Sequence, residues 1–259
     1  MNKFLLLIAS SLLLFSAVGC SSDNGGEKPD TPEVPPQLGE LAPISLSHEE
    51  LVSEKIIPVV YSKKIKITTV GHLSITSQLS AADESRTKIM LYIVPNSDDT
   101  KGYLESSVSI NYDETCIGTF KVYQARRRYS TMPVNWSKAV GKLTNLPKDG
   151  LEATKYVYNL EKTTNGADSY KNYPAFAWCI DMNYDPENNM EWYLPVYGEK
   201  AYEDIYTSDW NSHHNFWSSS LNTQGSAVTI LKWANSIQQS TYAARLSESH
   251  YVAAARAVK

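Results

Sequence analysis

The sequence predicts two folded parts, an all-β antiparallel sandwich over residues 42–126 and an α+β domain over residues 127–259. Apolar and polar residues alternate in short runs through the first part, with turn sequences between the runs. From Met132 onward, apolar residues recur at three- and four-residue spacing, which is typical of helices. Large aromatic residues around Trp192 and Trp217 indicate the core of the second part, because buried aromatic rings contribute large contact areas.

Residues 1–19 have the features of a secretory signal peptide. Lys3 precedes an apolar run from Phe4 to Phe15, and small residues follow it. The run is shorter than the span of about 20 residues that crosses a bilayer. An N-terminal membrane anchor is the alternative interpretation. The pattern favours a cleaved export signal.

Cys20 is the predicted site of lipid attachment. The segment Ala17-Val18-Gly19-Cys20 resembles a lipobox, whose cysteine becomes the lipidated first residue of the mature protein. The resemblance implies that outer-membrane lipid is a partner through Cys20, and each buried acyl methylene contributes about 0.8 kcal/mol. Acidic residues after such a cysteine, here Asp23, resemble the surface-export signals of Bacteroidetes lipoproteins. We expect an outer-membrane lipoprotein exposed at the cell surface.

Residues 20–41 are predicted to form a disordered tether, since they are rich in proline, serine and acidic residues. Five acidic residues against Lys28 give this segment a net charge of −4. Loss of Lys3 with the signal leaves 23 basic and 28 acidic residues, so the folded part carries only −1. Such a balance excludes the basic surface typical of nucleic-acid binding, and we expect no nucleic-acid partner.

The first folded part contains five runs with strand character, at 65–67, 73–79, 88–94, 108–112 and 116–122. The sequences at 44–47, 94–96 and 118–124 resemble BACON domains, which are immunoglobulin-like modules of Bacteroidetes surface proteins. The resemblance implies an immunoglobulin-like sandwich with a proposed carbohydrate association. Many members have a tryptophan where this chain has His72-Leu73, so we expect this module to act as a spacer. Arg126–Arg128 is then a solvated hinge, or alternatively a basic patch for an anionic ligand.

The second folded part contains three predicted helices, marked by Trp136 to Leu143, Ala153 to Leu160, and Ala175 to Met182. A further helical run with Tyr197, Ala201 and Ile205 follows Pro195, a residue suited to a first helical turn.

Five segments in this part form an ordered set of landmarks. They are Asp149-Gly150 with Thr154, Tyr173-Pro174-Ala175 with Cys179, Trp192-Tyr193-Leu194-Pro195 with Glu199, Phe216-Trp217-Ser218-Ser219, and Tyr251-Val252 with Arg256. The set resembles DUF1566, a domain family of exported bacterial proteins. The resemblance implies a C-type-lectin-like fold and assigns Trp192 and Trp217 to its core.

Cysteine and histidine chemistry adds little to this reading. Cys116 and Cys179 could pair in an oxidising compartment, and two separately buried thiols are the simpler account. His213 and His214 are adjacent and would point apart, so they make a poor zinc pair. Loop acids near Asp185 only partly match lectin calcium motifs. We expect no metal and no cofactor.

The sequence offers no catalytic residue. It contains neither G-x-S-x-G nor a phosphate-binding glycine loop. Exposed aromatic residues are the remaining candidates, because such rings stack on sugars beside amide and carboxyl groups. The predicted ligand-binding residues are Trp210, Trp233, Tyr206, Tyr242, Asn211 and His213.

Three functions are consistent with these features. The first is a non-catalytic lipoprotein whose lectin-like head binds a glycan or a protein. The second is a structural component of a surface assembly, such as a fimbria-like tip or an accessory subunit. The third is a hydrolase whose site the sequence does not reveal.

Overall fold

The structure is a computed structural model that describes residues 35–95, 98, 100–138, 143, 145–160, 162–199, 215–221, 227–234, 238–245 and 248–257. For 163, 164, 215, 227–234 and 238–244 only the backbone is described. The signal peptide, Cys20 and most of the tether lie outside these ranges. From Pro35 onward the described residues form one compact unit. No helix among them has the length and apolar character to cross a membrane.

The described residues before Arg126 form two sheets. Their strands are β1 (Gly39–Glu40), β2 (Ile44–Leu46), β3 (Val52–Ile57), β4 (Ile65–Gly71), β5 (Ile75–Ala81), β6 (Thr87–Ile93), β7 (Tyr103–Tyr112) and β8 (Thr115–Ala125). In the first sheet β8 pairs parallel with β1 and β2 and antiparallel with β7, and β7 pairs with β4. The second sheet has the antiparallel order β3-β6-β5.

The two sheets share one hydrophobic core. Ile89 and Leu91 of β6 and Val108 and Ile110 of β7 have no exposed surface and belong to one cluster. Successive strand residues point to opposite faces, so the alternating sequence buries one face of each sheet. The β-rich character predicted for this part is therefore confirmed.

Three strands lie outside the five predicted runs: β1, β2 and β3. β1 lies within residues 20–41 and pairs with β8, which corrects the expectation that this whole segment is a disordered tether. The reason for a missed strand is clearest in β3. Its burial alternates, but Val52 and Ile56 are exposed while Ser53 and Lys55 are partly buried. Because apolar side chains stand on the solvent side, the period-two pattern of apolar residues is absent. The five predicted runs, by contrast, all overlap strands β4 to β8.

The rest of the unit mixes short helices with short strands. The helices are α1 (Gly150–Asn159), α2 (Lys162–Asn165) and α3 (Pro174–Ile180), and a 3-10 turn at Ser169–Asn172 precedes α3. The strands are β9 (Val134–Asn135), β10 (Trp192–Tyr193), β11 (Asn215–Leu221), β12 (Ala227–Ala234), β13 (Gln238–Arg245), β14 (Ser249–His250) and β15 (Ala255–Arg256). β9 pairs with β14, β10 pairs with β15, and β11-β12-β13 form an antiparallel sheet.

Helices α1 and α3 confirm two sequence predictions. The Asp149 carboxylate caps α1 by accepting the Glu152 N–H at 2.9 Å, and Pro174 occupies the first turn of α3, where no N–H is needed. Trp136 follows strand β9 outside any helix, so the predicted helix does not begin there. Pro195 precedes a turn in which Gly198 has a φ of +88°, so Pro195 does not begin a helix, and Ala201 and Ile205 of the predicted helical run lie outside the described residues.

A second hydrophobic cluster fills this part of the unit. Trp136 and Trp217 have no exposed surface, and Trp192 is 3% exposed. Trp136 packs edge-on against Phe176 of α3, with ring centroids 5.2 Å apart. The predicted core positions of Trp192 and Trp217 are confirmed.

Candidate functional site

Trp136 and Trp217 tie β9 to β11 through their indole nitrogens. Nε1 of Trp217 donates to the carbonyl oxygen of Val134 at 2.6 Å, and Nε1 of Trp136 donates to that of Ser218 at 3.0 Å. A buried indole N–H needs an acceptor, and here each acceptor is a backbone carbonyl. Both side chains therefore fill the core and also donate hydrogen bonds to backbone carbonyl groups.

The first turn of α1 joins two of the sequence landmarks. A Cβ on Gly150 would lie 2.7 Å from the carbonyl oxygen of Leu194 and 2.8 Å from Cα of Pro195, so the close approach requires glycine. Oγ1 of Thr154 donates to the Gly150 carbonyl at 2.8 Å and accepts the Leu194 N–H at 3.0 Å. These contacts hold the segment after β10 against the helix.

Glu199 also holds the segment after β10 against the first turn of α1. One carboxylate oxygen accepts the Gly150 N–H at 2.7 Å, and the other accepts the Val196 N–H at 3.3 Å. Burial raises the pKa of Glu199 above its ordinary value of 4.5, against the lowering effect of these two bonds, and the Asp149 charge adds to the rise. Burial also raises the pKa of Tyr193 to about 12. Glu199 thus positions backbone segments.

Asn183 is a structural residue that the sequence analysis missed. Its Nδ2 donates to the carbonyl oxygens of Cys179 and Trp192, each at 3.0 Å. Its Oδ1 accepts the N–H groups of Glu191 at 2.7 Å and Trp192 at 2.9 Å. The side chain is 5% exposed. Its buried amide makes the backbone hydrogen bonds that a neighbouring strand would otherwise make to this loop. We call Trp136, Thr154, Asn183, Glu199 and Trp217 the framework residues.

Arg126 does not belong to a solvated hinge. It is 5% exposed, its guanidinium lies 3.5 Å from the centroid of the Trp178 ring, and Nη2 donates to the Trp178 carbonyl at 2.7 Å. A Cβ on Gly102 would overlap the backbone of Asp181. The hinge interpretation is therefore wrong for Arg126, although Arg127 is exposed.

Arg256 makes a second link between the two clusters. It pairs with Glu191 at 3.0 Å and with Glu50 at 2.6 Å, and it donates to the Ser45 carbonyl at 3.0 Å. Ser45 lies in β2 and Glu50 lies between β2 and β3, in the first part of the unit, whereas Glu191 directly precedes β10 in the second. The two clusters are thus packed together, and the domain boundary at 126/127 stays a prediction.

Four of the six predicted ligand-binding residues lie outside the described residues: Tyr206, Trp210, Asn211 and His213. Trp233 lies in β12 opposite Gln239, and Tyr242 lies in β13 opposite Ile230. Because Trp233 and Ile230 are three positions apart in one strand, this register places Trp233 and Tyr242 on opposite faces of the ladder. The two positions therefore need separate tests.

Cys116 and Cys179 are both free. Cys116 is exposed on β8, which corrects the expectation that both thiols are buried. Cys179 is buried in α3, where burial raises the pKa of its thiol and its Sγ contacts the Ala175 carbonyl at 3.7 Å. A thiol held in its neutral form is a poor nucleophile.

A shallow cleft of about 570 Å³ lies along the outer side of α1. It is lined by Pro147, Glu152, Lys155, Tyr156, Asn159 and Leu160. Three- and four-residue spacing places the middle four on one helix face. Tyr156 was not among the residues predicted from the sequence, although an aromatic residue on the polar face of an amphipathic helix is a recognisable signal.

Within the ranges that the structure describes, no group of three or more His, Cys, Asp or Glu side chains is placed to hold a metal ion. No protein-family model matches the chain, and no curated protein matches it.

Proposed function

We propose that this chain is a non-catalytic outer-membrane lipoprotein at the cell surface, whose C-terminal part binds a glycan or a surface protein. The observation that carries the proposal is the role of the framework residues. Asn183, Thr154 and Glu199 each satisfy backbone groups of irregular segments, as do the two indoles. These polar and aromatic residues thus stabilise the scaffold, and ligand recognition is left to side chains on the outer surface.

The finer fold assignment belongs to the same proposal. The sheets β3-β6-β5 and β4-β7-β8 correspond to the B-E-D and C-F-G strand sets of an immunoglobulin-like sandwich. The meeting of the DUF1566-like landmarks around Gly150 and Trp217 supports a C-type-lectin-like head. The BACON-like resemblance of the first part supports its role as a spacer.

Contacts between the two clusters support the spacer role. Arg126 packs on Trp178, and the ring of Tyr123 stacks on that of Tyr184 with centroids 4.2 Å apart. A spacer with such contacts would carry the head as a rigid extension of the sandwich.

A glycan array tests the proposed function. The full chain, purified in detergent, should bind a defined subset of bacterial, plant and host glycans. In parallel, Cys20→Ala should abolish lipid labelling and release the protein from the outer-membrane fraction. Membrane retention of that variant would contradict the lipid anchor, and an array without any bound glycan would contradict glycan binding.

A surface-assembly role is the second candidate, and one observation favours it. Large apolar side chains on the outer face of β3-β6-β5 and just beyond β6 are exposed: Val52, Ile56, Tyr92 and Val94. Register pairs Val52 with Tyr92, so the patch is continuous at that point. Exposed apolar patches often mark protein contacts. If this role holds, Val52→Lys should detach the protein from a surface polymer while glycan binding stays unchanged.

A further inference from the structure

We propose that the cleft along α1 is a saccharide-binding subsite with Tyr156 as its stacking platform. The inference rests on the proposed glycan-binding function and names the place and the chemistry of recognition. It concerns residues of α1 and its flanks, separate from the six residues that the sequence singled out.

The position of Tyr156 on the helix gives the first argument. Ala153 and Val157 face the core with no exposed surface, whereas Tyr156 is 38% exposed. Its hydroxyl has no hydrogen-bond partner among the described residues, and the residue lies outside the buried cluster. The aromatic ring lies outside this cluster, and part of its apolar surface is open to solvent.

The polar residues beside the ring match the hydroxyl groups of a sugar. Nζ of Lys155 lies 2.8 Å from the Glu152 carboxylate, which gives one strong donor and one strong acceptor in adjacent positions. Nδ2 of Asn159 donates to the Lys155 carbonyl at 3.0 Å, so the amide is held in place beside the ring. Sugar hydroxyls both donate and accept, and all three groups can serve them.

The shape of the cleft favours a saccharide over a peptide. It is open to solvent, with Pro147 before α1 and Leu160 after it, and the ten residues of α1 span about 15 Å. Peptide grooves need deep apolar anchor pockets or an open strand edge, and neither is formed by these six residues. An open surface with one ring and several polar groups fits a short oligosaccharide lying along the helix.

The test compares tyrosine variants of the full chain on the glycan array. Tyr156→Ala should weaken binding of the glycans that the wild type binds by about tenfold, as expected for loss of an aromatic stacking contact. Tyr156→Phe keeps the ring and should retain most of the binding. Tyr197→Ala is the matched control, because Tyr197 is 48% exposed and lies outside the cleft.

The outcomes separate this inference from the function on which it rests. If the wild type binds glycans and Tyr156→Ala binds them equally well, the subsite is wrong and the proposed function stands. Equal losses in Tyr156→Ala and Tyr156→Phe would overturn the stacking role. An array on which the wild type binds nothing overturns both the subsite and the proposed glycan binding. Thermal melting of Tyr156→Ala should match the wild type, since exposed substitutions rarely alter stability.

Discussion

The sandwich and the C-terminal part satisfy their buried backbone groups in different ways. In the sandwich, β7 and β8 pair along almost their whole length, so strand ladders supply the hydrogen bonds and apolar side chains supply the core. In the C-terminal part, strands such as β9 and β10 contain two residues each, and side chains of the framework residues supply much of the bonding. The stability of the first part depends on the alternation of apolar and polar residues along its strands. The stability of the second part depends more on individual hydrogen-bonding side chains.

This difference predicts unequal tolerance to substitution. A strand ladder survives the exchange of one apolar side chain for another of similar volume, because its hydrogen bonds come from the backbone. A loop held by one amide or one indole loses its partner when that residue changes. The two parts should therefore differ more in their loss of unfolding free energy after conservative substitutions than after disruptive ones.

Trp217→Ala should give the largest loss. The variant removes a fully buried ring and its bond to Val134, and we expect the free energy of unfolding to fall by about 3–5 kcal/mol. Chemical denaturation of the full chain measures this loss. Tyr197→Ala, at a half-exposed position, should stay within about 0.5 kcal/mol of the wild type. A comparable small loss at Trp217 would contradict its role in the framework.

Asn183→Ala should come second. A buried group left unpaired costs about 1–3 kcal/mol, and the costs of neighbouring groups do not add in full, so we expect a total loss of about 2–4 kcal/mol. Asn188→Ala is the matched control, because Asn188 is exposed and bonds only to the Asp185 side chain in the described residues. Denaturation midpoints of the two variants should differ clearly. Equal midpoints would show that the loop at 183–192 holds without this amide.

Arg126→Ala should have an intermediate effect. Loss of the Trp178 contacts should lower the free energy of unfolding by about 1–3 kcal/mol. Arg127→Ala changes the neighbouring exposed arginine and should cost less than about 0.5 kcal/mol. Limited proteolysis of Arg126→Ala should also cut faster near residues 124–134. Identical behaviour of the two variants would restore the hinge interpretation.

Glu199 should give the smallest effect, visible as a pH dependence. Its pKa is raised in the folded protein, so the folded state favours the protonated form. The contribution is fully present below the ordinary value of 4.5 and is lost as pH rises through the raised pKa. The stability of the wild type relative to Glu199→Gln should therefore decrease from acidic to neutral pH. A difference that increases over this range would reverse the assigned shift.

The sequence could predict those elements whose signal is local. Alternation of apolar residues predicted β4 to β8, and apolar residues at three- and four-residue spacing predicted α1 and α3. The burial of Trp192 and Trp217 followed from the size of their rings and the landmark pattern. β3 was not predicted because its apolar residues Val52 and Ile56 face solvent.

Contacts between distant residues could not be predicted in this way. Asn183 in a loop and Arg126 in a short basic run have ordinary local sequences, and their roles depend on partners elsewhere in the fold. Tyr156 gave a usable signal, since its position on α1 follows from helical spacing alone. The predicted residues Tyr206, Trp210, Asn211 and His213 lie outside the described ranges and stay predictions.

The central claim is that the C-terminal part recognises a saccharide while the sandwich supports it. Chemical-shift mapping tests this claim directly, with isotope-labelled full chain titrated with the glycan that binds most strongly on the array. We expect shifts in the amide signals of residues 147–160 and unchanged signals in β3, β6 and β5. Shifts confined to the outer face of β3-β6-β5 would contradict the account and assign binding to the sandwich.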